Sequence, residues 1–429
     1  MKTAKKNIIT LATLMTMLGQ APQALADYPF IEEPIDTASS AWHMSDSGYI
    51  VGTALNSQNI VRIHPAEGTL EIPLPQGATR CFAPVVSNAG VVAFRCRVPV
   101  PGQGTADRGF VFQNGAVLPL ELLPGGRADY SYPVGIAGDG RVLARGVFYD
   151  QQNNFHSIFP FLRLLNNEVQ RVQTDFPGEE WGIDPAGMSR GGAFYIGNDY
   201  TSGEFVAAVN GTSVEYPQLN GNALMISGVD DYGTVAVRTV FGRVGLWGGG
   251  LFGDITPALE AGLGSLSDDR YQIRGLNNAN QTLVGRLNNY EDYLRAAGVY
   301  DPSQSRVLKF ESDFSGDGRG ICAVGALLDI DSAGNALLMA SMSGVDQYGE
   351  PVCLPSQPVK LHRQHFQPGD ANCDGAVNNF DVDAFAQLLT DSEIWGLLHT
   401  RCNQLEVGDI NSDGLVNNFD VDPFVDLLL

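Results

Sequence analysis

A chain of 429 residues with 50 glycines, 23 prolines and only 17% charged residues is too long for one ordinary hydrophobic core and too rich in turn formers for a bundle of long helices. It reads as several domains or one large repeat architecture built from short strands. The formal net charge of −22 excludes nucleic acid and anionic membrane surfaces as natural partners, because both repel it, and it suits divalent cations.

Residues 1–26 have the form of a secretory signal. Lys2, Lys5 and Lys6 make a basic start, Ile8 to Leu18 an apolar run too short to span a bilayer, and Ala24-Leu25-Ala26 a small-residue cleavage site before Asp27. No later stretch approaches about 18 uninterrupted apolar residues, so the expectation is a protein without a membrane span, secreted or held at the cell surface. Cysteines of an exported chain are expected in disulfides. Their neighbours along the chain suggest Cys81 with Cys96, Cys322 with Cys353 and Cys373 with Cys402, although other connectivities, or free buried thiols, stay open.

Through residues 40–345 one pattern recurs: a polar turn with Asn, Asp or Ser, then Gly, then a short apolar strand. The copies are HMSDSGYIVG, VVSNAGVVAF, GIAGDGRVLARG, GMSRGGAFYIG, GVDDYGTVAVR, GLNNANQTLVGR and LDIDSAGNALLMA, aligned on Gly48, Gly90, Gly140, Gly192, Gly233, Asn280 and Gly334. Asn and Asp bond their own backbone and tolerate the left-handed conformation, Gly adopts positive φ at no steric cost, and β-branched residues follow, so each copy predicts a hairpin corner. Further apolar pairs such as RGFVFQNGAVLPL (108–120), EFVAAVNGTSVEYP (204–217) and RAAGVYDPSQSRVLKF (295–310) predict two more strands per unit. A four-stranded unit of roughly 40–54 residues cannot cover both its faces alone, whereas seven stacked around an axis can. The prediction is a mainly β chain with a seven-bladed β-propeller over 27–361; a tandem of β-sandwiches is the alternative. The pattern also resembles the HAF-type repeats of exported bacterial proteins, which carry G-[ILV]-N-x-x-G-x-[IV]-[VA]-G before a strand pair. That resemblance implies the repeat fold and little about activity.

Several shorter signals lose to simpler readings. Gly187-Met188-Ser189-Arg190-Gly191 satisfies a nucleophile-elbow pattern, but it coincides with a repeated turn and is followed by AFYIG rather than a helix. Gly248, Gly250 and Gly253 match a dinucleotide fingerprint without introducing a helix or a βαβ unit. His43, His64, His156, His362, His365 and His399 never form a metal-binding spacing, and His362 and His365 read as solvated linker residues. The acidic run SDFSGDG (312–318) lacks a full ligand set. Glu179, Glu180 and Asp184 beside Trp181 are a weak candidate glycosidase pair, since such enzymes need two suitably spaced carboxylates.

After a linker over 362–368, residues 369–429 carry the same loop twice, GDANCDGAVNNFD and GDINSDGLVNNFD. EF-hand-type calcium loops place oxygen ligands at positions 1, 3, 5, 7, 9 and 12, with Gly at 6. The first copy supplies Asp370, Asn372, Asp374, the Ala376 carbonyl, Asn378 and Asp381 around Gly375. The second supplies Asp409, Asn411, Asp413, the Leu415 carbonyl, Asn417 and Asp420 around Gly414. Hard oxygens in every slot favour two Ca²⁺ ions over Mg²⁺. Each loop leads into an apolar helical stripe, Val382, Phe385, Leu388 and Leu389 in one and Val421, Phe424, Leu427 and Leu428 in the other. Pro423 is tolerated in the first turn. No helical pattern precedes either loop, Val377 and Val416 are expected to face each other, and Phe380 and Phe419 are expected in the core.

A loop followed by one helix, duplicated in tandem, resembles the dockerin module, GD-x-N-x-DG-x-[VI]-N-x-x-D and a helix, at every one of those positions. The resemblance implies a small α-helical calcium-binding module that docks to another extracellular protein, a cohesin-like one in the family. Positions 10 and 11, where dockerins commonly have small hydroxyl residues, are Asn379-Phe380 and Asn418-Phe419. An inserted segment, DSEIWGLLHTRC, separates the copies, and its Trp395 is expected on the partner-facing surface. The functional expectation is a calcium-binding docking protein whose propeller has an unassigned ligand, with a polysaccharide as the candidate. The alternative is a polysaccharide-degrading enzyme, a glycoside hydrolase or lyase, tethered by the same module.

Overall fold

The computed structural model describes residues 30–429 except 36, 56, 101–103, 125–126, 150–154, 173–182, 200–202, 212, 240–241, 265–268, 289–293, 304, 311–320, 346–350, 364–365, 400–401, 403 and 412–414. The signal-like segment, Glu179, Glu180 and Trp181, the run 312–318, His365, Asp413 and Gly414 therefore lie outside the described residues. One compact unit comprises Phe30–Phe314 and Gly318–Arg363, and a second includes Gln364–Leu429.

The larger unit is a seven-bladed β-propeller of four-stranded antiparallel blades. Blade 1 shows the plan, with strands Ala38–Met44, Ile50–Ala54, Ile60–His64 and Gly68–Ile72 paired in order from the axis outward. The innermost strands of blades 2 to 6 are Arg80–Val86, Arg127–Ile136, Ile183–Met188, Met225–Val229 and Asp269–Arg274. Blade 7 begins with Ile321–Ile330, continues through Ala336–Val345 and Gln357–Arg363, and takes its outermost strand from Phe30–Pro34, in register from Phe30 against Arg363 to Pro34 against Val359. The ring is closed by strands from both ends of the propeller sequence. His362 thus belongs to a strand rather than a linker, and its Nε2 is 2.5 Å from Glu33 Oε2 across the pair.

The core lies between blades, which is why no blade is stable alone. Val51, Ile60 and Ile72 of blade 1 pack on Cys81, Val86 and Phe94 of blade 2. Ala93 and Val111 meet Ile136, Val142 and Phe161 of blade 3, and Leu337 of blade 7 joins Met44 and Val61 of blade 1 to close the circle. Between blades 5 and 6 the seal includes helix α1, Thr256–Leu263, which contributes Leu259 and Leu263. A helix therefore does follow Gly253, but only after strand Leu251–Asp254, while Gly249 and Gly250 form the tight turn before that strand with φ of 57° and 79°. No dinucleotide-binding βαβ arrangement is built there.

All seven predicted turn residues have positive φ, from 58° at Asn280 to 94° at Gly140. Each turn joins the first two strands of a blade and is closed by the same backbone bond, such as Gly48 N–H to the Ser45 carbonyl at 3.1 Å and Gly334 N–H to the Asp331 carbonyl at 3.0 Å. In six blades the residue three before the turn position also accepts an N–H through its side chain, as Asp331 Oδ1 does from Asn335 at 2.8 Å and Ser45 Oγ from Tyr49 at 3.0 Å. Blade 3 has Ala137 at that place and uses Asp139 Oδ1 instead.

The smaller unit contains α2, Asp381–Thr390; α3, Ser392–Leu398; α4, Gln404–Gly408; and α5, Val421–Leu428, entered through a 3₁₀ turn at Asn418–Asp420. The short α4 corrects the expectation that no helix precedes the second loop. Phe385 of α2 stacks on Phe424 of α5 with ring centroids 4.1 Å apart, so the duplicated stripes cover each other. Val382 is exposed and Asp381, Ala384, Phe385 and Leu388 form the buried face of α2, a clean i, i+3, i+4, i+7 row that starts on a carboxylate. Val377 and Val416 lie over Gly369 and Gly408 respectively.

Disulfides join Cys81 to Cys96, directly opposite each other in blade 2, and Cys373 to Cys402. Cys353 is also disulfide-bonded, while the side chain of Cys322 lies outside the described residues. Among the described residues no helix is long and apolar enough to cross a membrane.

Candidate functional site

In the first calcium-type loop, Asp370 and Asp381 are fully buried. Asp370 Oδ1 accepts the Asp374 N–H at 3.1 Å and Oδ2 the Gly375 N–H at 2.9 Å. Asp381 accepts from Asn372 at 3.0 Å and Asn378 at 2.9 Å, loop positions 3 and 9. The second loop repeats the device: buried Asp420 accepts from Asn411 at 3.1 Å, Asn417 at 2.9 Å and additionally Ile410 at 2.8 Å. Burial pushes the Asp370 carboxyl above its ordinary range; the loop amides of Gly375 and Asp374 oppose this, and the neighbouring charges of Asp381 and Asp374 add to it. Asn372, Asp374 and Asn378 turn their oxygens onto loop amides at 2.8–3.0 Å, and Gly375 takes φ of 94° at the sharp bend.

Sequence reasoning misplaced two features of this unit. Phe380 and Phe419 are 82% and 78% exposed, because each stands one residue before the buried helical row rather than on it. Trp395, expected at the surface, is buried, and its indole N–H donates to the Ala371 carbonyl at 3.1 Å. Together with the Cys373–Cys402 bridge it clamps the inserted segment onto the first loop. Among the described residues no three His, Cys, Asp or Glu side chains already form a cluster able to hold a metal.

The second candidate region is the propeller axis. The tips of the seven turns make a closed hydrogen-bonded ring. Ser47 Oγ donates to the Asn88 carbonyl at 2.9 Å, Asn88 N–H to Gly138 at 3.0 Å and Gly138 N–H to Arg190 at 2.6 Å. Gly191 N–H donates to Asp231 at 2.7 Å, and Asp231 N–H to Asn278 at 3.0 Å. Asn277 Nδ2 donates to the Asp331 carbonyl at 2.9 Å, and Ser332 N–H to Asp46 at 2.8 Å.

Two residues before each turn start, blades 3 to 6 have Gly135, Gly187, Gly228 and Gly275. At Gly228 a Cβ would lie 2.7 Å from the backbone of Gly275, so the inner strands approach at contact distance. The same position is His43 in blade 1 and Asp329 in blade 7. Arg190, rooted in blade 4, extends to these opposite blades and donates to the Met44 carbonyl at 2.8 Å, Asp46 at 3.2 Å, Asp329 at 2.9 Å and the Ile330 carbonyl. Burial works against its charge, but the carboxylates of Asp329, Asp46 and Asp331 outweigh that and hold its pKa above the usual value. Burial likewise opposes ionisation of Asp329, and Arg190, then His43, overcome it and keep the carboxyl low. The pKa of His43 is lowered, because burial lowers it more than Asp329 raises it.

Ser189 is buried and its Oγ accepts the N–H groups of Ala193 and Phe194 at 3.1 Å each, so the elbow-like pentapeptide is a structural turn. Asp184, the described member of the carboxylate set, pairs with Arg145 at 3.1 Å.

No family model matches the chain, and no curated protein does. Among solved structures it is similar to a streptogramin B lyase at 11% identity and TM-score 0.36, over 78% of this chain and 98% of that one. It is also similar to virginiamycin B lyase from Staphylococcus aureus, at 8% and 0.41 over 77% and 99%. Prolyl oligopeptidase B from Galerina marginata matches at 12% and 0.46 over 78% of this chain and 52% of that one. At these scores none of the likenesses bears on function.

Proposed function

We propose that the C-terminal unit binds two Ca²⁺ ions and, so ordered, docks the chain to another extracellular protein. One ion takes Asp370, Asn372, Asp374, the Ala376 carbonyl, Asn378 and Asp381; the other takes Asp409, Asn411, Asp413, the Leu415 carbonyl, Asn417 and Asp420. The supporting observation is that Asp370, Asp381 and Asp420 are fully buried, with loop amides as their hydrogen-bond donors and no salt bridge to any of them among the described residues. Buried carboxylates that meet amides but no cation are costly, and a divalent ion on their remaining lone pairs offsets that cost. An all-oxygen donor set suits Ca²⁺. The equivalent exposed positions of Phe380 and Phe419 supply the apolar contact for docking.

Calorimetry on the full chain after chelation should show about two calcium ions bound, with a gain of helix by circular dichroism. Asp370→Ala should remove one of them. Absence of heat and of any spectral change on calcium addition would overturn the reading.

A further inference from the structure

The inner strands of the propeller enclose an axial cavity of about 580 Å³, lined among others by Trp42, Arg95, Tyr132, Glu204, Arg274 and Asp329. This volume suits a small-molecule ligand. Its two carboxylates are already engaged, Asp329 by Arg190 and Glu204 by the Ile226 N–H. The arginines are not equally satisfied.

Arg95, on the second strand of blade 2, is held between two rings, its guanidinium carbon 4.4 Å from the Phe82 centroid and 4.8 Å from that of Tyr132. Its neighbour Arg145 occupies the same register in blade 3, opposite Tyr132 as Arg95 is opposite Phe82. Arg145 donates to Tyr132 Oη at 2.9 Å and pairs with Asp184. Arg95 has no such partner among the described residues, and its Nε is buried without a hydrogen bond. A guanidinium clamped by its faces keeps its edge free for a bidentate acceptor. On the opposite side, in blade 6, exposed Arg274 has one long contact, 3.4 Å to the Leu328 carbonyl, and no ion pair among the described residues. In a chain of net charge −22, two uncompensated guanidinium groups facing one cavity are a local inversion of charge.

We propose that this cavity is a binding site for a carboxylate-bearing ligand, with a carboxylate on the free edge of Arg95, the charge of Arg274 across the cavity adding attraction, and the ligand body against the half-exposed ring of Trp42. The carboxylate belongs to a free organic acid or to an acidic sugar, and the test distinguishes the two.

Succinate, trigalacturonate and neutral maltotriose are titrated into the full chain by calorimetry, with calcium held constant. At least one carboxylate probe should bind about tenfold or more tightly than maltotriose. A preference for trigalacturonate assigns an acidic sugar, and a preference for succinate a free acid. Arg95→Gln and Arg274→Gln should each weaken binding about tenfold, the loss of a charge-assisted pair, whereas Arg171→Gln on the outer strand of blade 3 should leave it unchanged. Arg95→Lys, which retains charge but not the fork, should fall between. Should Arg95→Gln fail to fold, Arg274→Gln, at an exposed position, carries the test alone. Failure of both carboxylates to bind, equal binding of maltotriose, or unaltered affinity in the arginine variants would overturn the proposal.

Discussion

Arg190 Nη2 donates to Asp329 Oδ1 at 2.9 Å, although the two residues stand on opposite sides of a seven-membered ring. The bond spans the axis from blade 4 to blade 7, and the other guanidinium nitrogen reaches Met44 and Asp46 of blade 1. One side chain thus ties the middle of the propeller sequence to both of its closing blades.

Arg190→Met should destabilise the propeller by about 3–5 kcal/mol, because it leaves the largely buried Asp329 without its charge partner. Adding Asp329→Asn to that variant should recover part of the loss, since the orphaned charge disappears. Denaturant midpoints of the two variants against the parent measure both effects; equal midpoints for all three would rule out the cross-axis tie.

Acid sensitivity should follow from the same cluster. The folded-state pKa of Asp329 lies below its unfolded value of about 3.9. Its contribution is therefore fully present above that value and is lost as pH falls through the folded one. His43 is a base with a lowered folded pKa, so below about pH 6.5 the unfolded chain binds its proton first and stability declines as pH drops. His43→Gln should remove the part of the decline that begins below about pH 6.5 and leave the loss at lower pH, which Asp329→Asn should reduce.

The one turn that uses Asn instead of Gly offers a stabilising change. Asn280 has φ of 58°, and its Oδ1 is buried without a hydrogen bond. Asn280→Gly relieves both at once and should raise stability by about 1 kcal/mol. Asn280→Val should lower it by about 1–2 kcal/mol. Gly334→Ala should also destabilise, since a Cβ there meets Gln281 Oε1 at 2.7 Å on a backbone with φ of 82°. Thermal midpoints order the four proteins.

In the smaller unit, Trp395→Ala should cost about 3–5 kcal/mol and weaken calcium binding to the first loop, because Trp395 anchors the Ala371 carbonyl inside it. Phe380→Ala with Phe419→Ala should do neither. Changes of stability within about 0.5 kcal/mol are expected for residues so exposed, and a large loss in calcium-saturated protein would show that they belong to a core after all.

The turn motifs were legible because everything that makes them lies within five residues: a side-chain acceptor, a residue with positive φ, then an apolar strand. Their recurrence also implied blades and a ring. The sequence pattern puts Val382 on the helical stripe of α2 and Asp381 in the loop, whereas Asp381 also opens the buried face of the helix and Val382 is exposed. The same shift misplaced Phe380 and Phe419. Trp395 was misread because an aromatic in an insertion gives no sign of whether it packs inward; the carbonyl of Ala371 supplies that answer from 24 residues away.

The seven turns and the strand pairs that follow them were contained in the sequence alone, as products of short-range backbone chemistry. Tertiary structure alone decided the rest. Pairing of Phe30–Pro34 with Gln357–Arg363 depends on the blades having already brought distant segments together. So do the reach of Arg190 across the axis, the glycine contacts that narrow it, and the unequal satisfaction of Arg95 and Arg145. Long-range partners are chosen by the geometry of ring closure, and no local propensity encodes which side chain will stand across the axis from which.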